Sequence, residues 1–252
     1  MKILLPENIF ARILSSALIQ NDKDTIIFYP SGLLSKNLAS NKNAIALIPT
    51  MDLLNHRDLF ISQSLGISFD ESISNSYIYF NQNEKLEKEV VLAGDVSSNE
   101  AVLTKILFAE VYGIDVQLSF EKINGGISDK NRVLVGDRNF IEGNLNSAIS
   151  FTEEIIELIT APYVNFVFAS ESEITLKDFQ SRYQKIISEL DTSQMIEKTN
   201  DSFSTDIKNY LADNIQHVVF NFNAQDLEGI KQLLELPYFQ GIIDDLIEVK
   251  FV

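Results

Sequence analysis

The sequence predicts an α/β protein, and the order of its apolar segments is the main reason. Short apolar runs alternate with longer segments in which apolar residues recur at helical spacing. The short runs are apolar throughout, which is typical of parallel strands covered on both faces. Three of these runs end at a proline, namely Pro6, Pro30 and Pro49.

The first part of the chain predicts strands and helices in turn. Strands are expected at residues 1–5, 25–29 and 44–48, and helical segments at residues 9–19, 33–38 and 51–54. Proline lacks the N–H that a strand ladder needs, so each proline ends its strand where the chain turns. Because ligands of open parallel sheets bind outside the carboxyl ends of the strands, we expect the three prolines to border a ligand crevice.

The rest of the chain continues this alternation and ends in helices. Strands are expected at residues 76–80, 89–96, 115–120, 131–135 and 165–169, and helices at residues 97–110, 152–159, 176–187, 204–212, 224–234 and 240–247. Ser97 and Glu100 fit a capping box, in which the serine oxygen accepts an N–H and the glutamate reaches back to the start of the helix.

Two stretches are expected to cross between lobes. One is the charged segment 81–89, and the other lies around residues 170–173. They divide the chain into a discontinuous first lobe, residues 1–80 plus 170–252, and a second lobe, residues 81–169.

Composition excludes several classes of partner. The 252 residues carry a formal charge of −16 with no run of Lys or Arg, so we exclude nucleic acid as a partner. No apolar run reaches the roughly 18 residues that a membrane span needs, and no signal-peptide pattern is present. We therefore expect a cytoplasmic protein without a membrane partner. The sequence does not indicate an oligomeric state.

Residue usage excludes thiol chemistry and metal sites built from thiolates or several histidines. The sequence has no cysteine, which rules out disulfides, thiolate zinc sites and cysteine nucleophiles. It has two histidines, His56 and His217, which are far apart along the chain and rule out a histidine-rich metal site.

The order of several motifs resembles a known family, the menaquinone-biosynthesis proteins of the futalosine route, which include chorismate dehydratase and 1,4-dihydroxy-6-naphthoate synthase. The segments that carry the resemblance are Ala44-Ile-Ala-Leu-Ile-Pro-Thr-Met-Asp52, Gly94-Asp-Val-Ser-Ser-Asn99, Leu134-Val-Gly-Asp-Arg138, residues 152–168 and residues 224–230. Together they occur in the family's order over most of residues 25–235.

The resemblance implies a fold and a ligand class. The implied fold is that of periplasmic solute-binding proteins of the second type, in which two α/β lobes close on a small anionic ligand. The implied ligand is a small carboxylic acid, and the implied chemistry needs no cofactor. The ligand-binding residues carried over are Asn8, Pro49, Thr50, Ser97, Ser98, Asn99 and Gly136, and the catalytic residue carried over is Asp137.

The chain departs from the family pattern at two places. Leu5-Pro-Glu-Asn8 keeps only the asparagine of the family's Ser-Tyr-Leu-Asn loop, and Asn99 stands where the family has an arginine. Glu7 and Glu100 add negative charge near a site for a dicarboxylate, which opposes its binding.

The residues themselves leave alternatives open at each position. Ser97, Ser98 and Asn99 begin a helix, where free N–H groups attract a carboxylate or phosphate, although Ser97 also suits a simple cap. Thr50 has the same two interpretations. Asp137, after Gly136 at a strand end, suits a catalytic base or an acceptor for a substrate hydroxyl, and it equally suits a cap of the next helix.

Three functions fit these observations. The first is an enzyme of menaquinone biosynthesis, a cofactor-independent lyase like chorismate dehydratase. The second is a small-anion binding protein, a sensor or carrier with the same cleft and no catalysis. The third is an interaction protein, for which the acidic surface and the C-terminal helices leave room.

Overall fold

The computed structural model describes residues 1–19, 24–71, 73–81, 88–121, 130–192, 196 and 202–252. Its strands are β1 (Lys2–Pro6), β2 (Thr25–Tyr29), β3 (Ile45–Pro49), β4 (Phe60–Phe69), β5 (Ser76–Tyr79), β6 (Glu89–Gly94), β7 (Gln117–Phe120), β8 (Asn131–Val135), β9 (Ile149–Ser150), β10 (Tyr163–Ser170), β11 (Val218–Asn221) and β12 (Lys250–Phe251). Its α-helices are α1 (Ile9–Leu18), α2 (Leu34–Ala39), α3 (Ser98–Glu110), α4 (Arg138–Glu142), α5 (Phe151–Ile159), α6 (Glu173–Ser188), α7 (Thr205–Asn214) and α8 (Ala224–Phe239).

In the described part of the chain, the strands form two sheets. The first sheet has the order β11-β4-β10-β3-β1-β2, with β12 pairing with β4, and the second sheet has the order β7-β6-β8-β5-β9. Strands alternate with helices along both sheets, so the predicted α/β class is confirmed. We call the first sheet with its helices the first lobe, and the second sheet with its helices the second lobe.

Both sheets are built in the same way. In the first, β1 lies between the parallel strands β2 and β3, and the antiparallel β10 follows β3. In the second, β6 lies between the parallel strands β7 and β8, and the antiparallel β5 follows β8. The carboxyl ends of the three parallel strands therefore lie at one edge of each sheet.

Burial explains why the parallel strands form where they do. Every residue of β3 is buried, as are four of the five residues of β1, which is expected for strands covered on both faces. The first helix shows the matching helical pattern, with Phe10, Leu14 and Leu18 buried along its inner face. The apolar runs thus form the buried strands of the sheet, and the segment with helical spacing forms a helix that packs its apolar face inward.

Two strands differ from the predicted lobe boundaries. β5, which lies inside the predicted first-lobe segment 1–80, pairs with β8 and β9 in the second sheet. β10, which lies inside the predicted second-lobe segment 81–169, pairs with β3 and β4 in the first sheet. The chain passes from the first sheet to the second between β4 and β5, and it returns between α5 and β10. The ten-residue strand β4, which the pattern did not predict, precedes the first crossing. Residues 82–87 of the expected crossing 81–89 lie outside the described residues.

The predicted helix at residues 240–247 is wrong. Helix α8 runs on to Phe239, and Gln240 forms its C-cap. Gly241 then adopts a left-handed conformation with φ +64°, which ends helices readily because glycine has no Cβ to clash. Turns and bends follow up to β12.

The described helices include none that is both long enough and apolar enough to cross a membrane.

Candidate ligand-binding cleft

The strand ends of the first lobe meet those of the second lobe and form a cleft. Two backbone N–H groups of the first lobe donate hydrogen bonds to carboxylates of the second. The N–H of Ile9, at the start of α1, donates to Asp137 Oδ1 at 2.7 Å. The N–H of Ser31, after β2, donates to Asp95 Oδ1 at 2.8 Å, and the Ser31 hydroxyl donates to Asp95 Oδ2 at 2.6 Å.

Asn99 makes a third contact across the lobes. Its Oδ1 accepts a hydrogen bond from the N–H of Met51 at 2.9 Å, just after β3. Its Nδ2 donates to the backbone oxygen of Asn165 in β10 at 2.7 Å. The three donor groups of the first lobe thus follow β1, β2 and β3, the strands whose prolines were predicted to border a crevice.

A cavity of about 710 Å³ opens beside these contacts. It is lined by Pro30, Gly32 and Leu33 of the first lobe, and by residues 92–96, Phe120, Glu121 and Arg138 of the second. The lobes approach closely here, because a Cβ on Gly32 would lie 3.2 Å from the Val96 backbone oxygen. We call this arrangement, in which the lobes are in contact beside the cavity, the closed arrangement.

The cavity walls combine apolar and charged groups. Leu33 is 45% exposed and Phe120 is 65% exposed, and the two come from opposite lobes. The guanidinium of Arg138 forms ion pairs with Glu121 and, at 2.8 Å, with Glu142. A molecule with an apolar body and one charged group fits such walls.

The two interlobe carboxylates have unusual acidity. Burial raises the pKa of Asp137 to about 6, against the opposing effects of the Ile9 N–H and the Arg12 guanidinium. Burial also raises the pKa of Asp95, although its hydrogen bonds from Ser31 oppose this effect. Both carboxylates are half-buried, and carboxylates with raised pKa values are common at functional sites.

The structure places three of the predicted residues in structural roles. Asn8 is fully buried and caps α1, because its Oδ1 accepts a hydrogen bond from the N–H of Ala11 at 2.9 Å. Pro49 ends β3. Thr50 does not cap the turn that follows, since its hydroxyl donates to the backbone oxygen of Val164 at 2.6 Å. The alternative of a Thr50 cap is therefore wrong.

The predicted residues of the second lobe lie at the same interface. Ser97 forms the predicted capping box with Glu100, and Ser98 lies half-buried at the first position of α3. Gly136 turns the chain after β8 with φ +79°. Asp137 occupies the N-cap position of α4, but its side chain makes no capping hydrogen bond and instead reaches the first lobe, so the alternative of a side-chain cap is wrong here too. Whether any of these residues contacts a ligand stays a prediction.

The cavity itself is lined by residues that the sequence argument did not propose as site residues. Asp95 follows β6, Phe120 is the last residue of β7 and Glu121 follows it, and Leu33 follows β2. One signal was available, because Gly94-Asp95 follows an apolar run as Gly136-Asp137 does, although the predicted strand 89–96 extended past it. The same argument that selected Asp137 would have selected Asp95.

The two lobes, their strand order and the cleft between their strand ends define the class of the fold. It is the two-lobed α/β fold of solute-binding proteins of the second type. The sequence itself matches no family model and no curated protein.

Solved structures with the same fold cover nearly the whole chain. Protein AF1704 from Archaeoglobus fulgidus has 10% sequence identity and a TM-score of 0.66, over 96% of this chain and 98% of that one. An ABC transporter protein from Parabacteroides distasonis has 11% identity and a TM-score of 0.62, over 100% and 98%. The periplasmic aliphatic sulphonate binding protein SsuA from Escherichia coli has 13% identity and a TM-score of 0.55, over 99% and 95%. At these identities the similarity establishes the fold, which confirms the fold expected from the resemblance.

Proposed function

We propose that the protein binds a small organic acid in the cleft between its lobes. The observation that supports this proposal is that N–H groups at the cleft pair with carboxylates. Two N–H groups at strand ends of the first lobe hold carboxylates, those of Asp95 and Asp137. N–H groups at such positions favour anionic oxygen, and although Asp95 and Asp137 occupy these two donors here, their choice as partners indicates that this edge of the cleft suits an acid group.

The cavity supports a ligand with an apolar part as well as an acid group. Its volume of about 710 Å³ lies within the range of small-molecule sites. Leu33 and Phe120 supply apolar surface from opposite lobes, and Arg138 supplies a positive charge. Closure of the lobes would remove the apolar part of the ligand from water while its acid group stays near the guanidinium.

Arg138 is expected to contribute to ligand affinity. Replacing it by glutamine removes the guanidinium and leaves Glu121 and Glu142 without their ion pair. Both changes oppose an anion, so we expect the dissociation constant for a bound acid to rise about tenfold, or about 1.4 kcal/mol. Calorimetric titration measures this change. The matched control is Arg57→Gln, an exposed arginine of the first lobe; equal effects of the two variants would argue against a role for Arg138.

A second candidate function is a lyase like chorismate dehydratase, in a divergent member of the menaquinone family. The raised pKa and the position of Asp137 favour the lyase. A carboxylate with a pKa of about 6 suits a general base at neutral pH, and Asp137 lies where the two lobes meet. Dehydration of chorismate needs such a base at a ring carbon and donors that hold the carboxylates, and it needs no cofactor.

One assay separates the two candidates. Purified protein is incubated with chorismate while its ultraviolet absorption is followed, with Asp137→Asn as the matched variant. Loss of absorption that disappears in the variant supports the lyase. An unchanged spectrum, together with a higher melting temperature in the presence of chorismate or another small carboxylic acid, supports a binding protein. No turnover and no thermal shift with a panel of such acids would contradict both.

A further inference from the structure

Asp95 and Asp137 belong to the second lobe, yet their hydrogen-bond partners belong to the first. Asp95 follows β6 and accepts from Ser31, and Asp137 follows β8 and accepts from Ile9. Both contacts depend on the closed arrangement, because separating the lobes separates each carboxylate from its donor. Water would then hydrate the two carboxylates again.

The charged groups around this pair are mostly negative. Asp95 raises the pKa of Asp137, and the charge of Glu7, just before α1, raises that of Asp95. The cation that faces Asp137 from the first lobe is Arg12 of α1, whose guanidinium lies over the Phe28 ring at 5.2 Å. Arg138, the next residue after Asp137, is engaged by Glu121 and Glu142. Closure thus removes water from two carboxylates that already lie together in the second lobe and adds the charge of Glu7 near Asp95, while Arg12 opposes these effects near Asp137.

We propose that closure of the two lobes is coupled to proton uptake by Asp95 and Asp137, and that binding of an acid in the cleft is therefore favoured by low pH. The second half of this statement rests on the proposed function. The first half concerns the protein without any ligand.

The direction of the pH effect follows from the acidity of the two groups. In the closed form the pKa of Asp137 is about 6 and that of Asp95 is also raised. In an open form both carboxylates face water and have an ordinary pKa of about 3.9. The closed form therefore binds more protons between these values, and a fall in pH favours closure. From Asp137 alone we expect the ratio of closed to open molecules to rise about tenfold between pH 8 and pH 5.

An acid ligand strengthens the coupling. Its negative charge adds to those of Asp95 and Asp137, so it favours their protonated forms further. Binding of an acid then takes up protons from solution, and its affinity rises as the pH falls. A carboxylate ligand and protons thus both shift the equilibrium between open and closed lobes toward the closed form.

Distance measurements between the lobes test the proposal without a ligand. The sequence has no cysteine, so Lys36→Cys in α2 and Asn146→Cys in the second lobe give two unique sites for spin labels. Pulsed electron resonance then reports the closed and open distances from pH 8 to pH 5. We expect the closed population to grow as the pH falls, and the growth to disappear in the Asp95→Asn, Asp137→Asn variant.

Asp115→Asn removes a charge from an exposed position of the second lobe and should keep the full pH dependence. Asparagine retains an oxygen acceptor at both positions, and circular dichroism checks that the double variant folds. A pH-independent wild-type population, or an unchanged pH dependence in the folded double variant, would overturn the proposal. If the double variant does not fold, carbon NMR titration of the wild-type carboxyls decides, and ordinary pKa values for both would overturn it.

A calorimetric experiment distinguishes proton-coupled closure from the proposed binding of an organic acid. Benzoate is titrated into the protein in two buffers with different heats of ionisation, which gives the number of protons taken up on binding. Proton uptake supports acid binding and its coupling together, whereas benzoate binding without proton uptake contradicts the coupling of acid binding. If neither benzoate nor chorismate binds while the closed population still rises at low pH, the proposed function fails and proton-coupled closure stands.

Discussion

Replacing Asn99 by alanine is expected to lower the free energy of unfolding by about 3 kcal/mol. Asn99 is fully buried, and both ends of its amide are used. The substitution leaves the N–H of Met51 and the backbone oxygen of Asn165 without their partners inside the interface between the lobes. Each unpaired buried group costs about 1–3 kcal/mol, and chemical denaturation measures the sum.

Two further variants make this result specific. Asn144→Ala, at an exposed position of the second lobe, should change the stability by less than about 0.5 kcal/mol. Asn99→Asp keeps an oxygen for Met51 and loses the donor to Asn165, so a destabilisation is expected here too. An Asn99→Ala protein as stable as the surface control would show that the interlobe amide contributes little to the fold.

Replacing Gly94 by alanine is expected to cost about 4 kcal/mol of stability or to prevent folding. Gly94 ends β6 and pairs with Val135 of β8 at the edge of the cavity. A Cβ at this position would lie 2.1 Å from the Val135 backbone oxygen, far inside contact distance. The residue also has φ +87°, which is unfavourable for any residue with a Cβ. The collision is relieved only if β6 and β8 move apart, and the backbone strain at this φ would remain even then.

Gly113→Ala is the matched control for this effect. Gly113 also has a left-handed backbone, with φ +67°, but an added Cβ would meet no atom within 4 Å. Its substitution should cost only the conformational strain, about 1–2 kcal/mol. Thermal or denaturant unfolding of both variants separates strain from collision, and equal losses would mean that the contact with Val135 is easily relaxed.

Much of the fold could be predicted because it follows from local patterns. The apolar runs that became β1 and β3, and the helical spacing of α1, depend on burial that a short window of sequence records. The capping box of Ser97 and Glu100 is equally local. Strand β4 escaped prediction because serine, glutamine and glycine interrupt its apolar residues, and without β4 the first crossing between the lobes was misplaced.

The candidate site was predictable only in part for a different reason. The three prolines end apolar runs in the sequence, so they predicted the strand ends of the first lobe. The N–H groups that contact the second lobe follow these strand ends. Their partners were not visible. Ile9 and Asp137 are 128 positions apart, and Ser31 and Asp95 are 64 apart, so their meeting depends on how the lobes close. A sequence pattern can identify Asp137 as a candidate functional carboxylate, but it does not reveal which groups donate hydrogen bonds to that carboxylate.

The common strand order of the two sheets has a consequence for how the cleft is made. In each lobe a helix follows the middle strand of the parallel set, α1 after β1 and α3 after β6. The start of each helix meets the loop after the third parallel strand of the opposite lobe, α1 through Asp137 and α3 through Met51. The cleft is thus a reciprocal junction between two lobes that share the same strand order. Reciprocal contacts of this kind are typical of symmetric dimers, and here they form within a single chain.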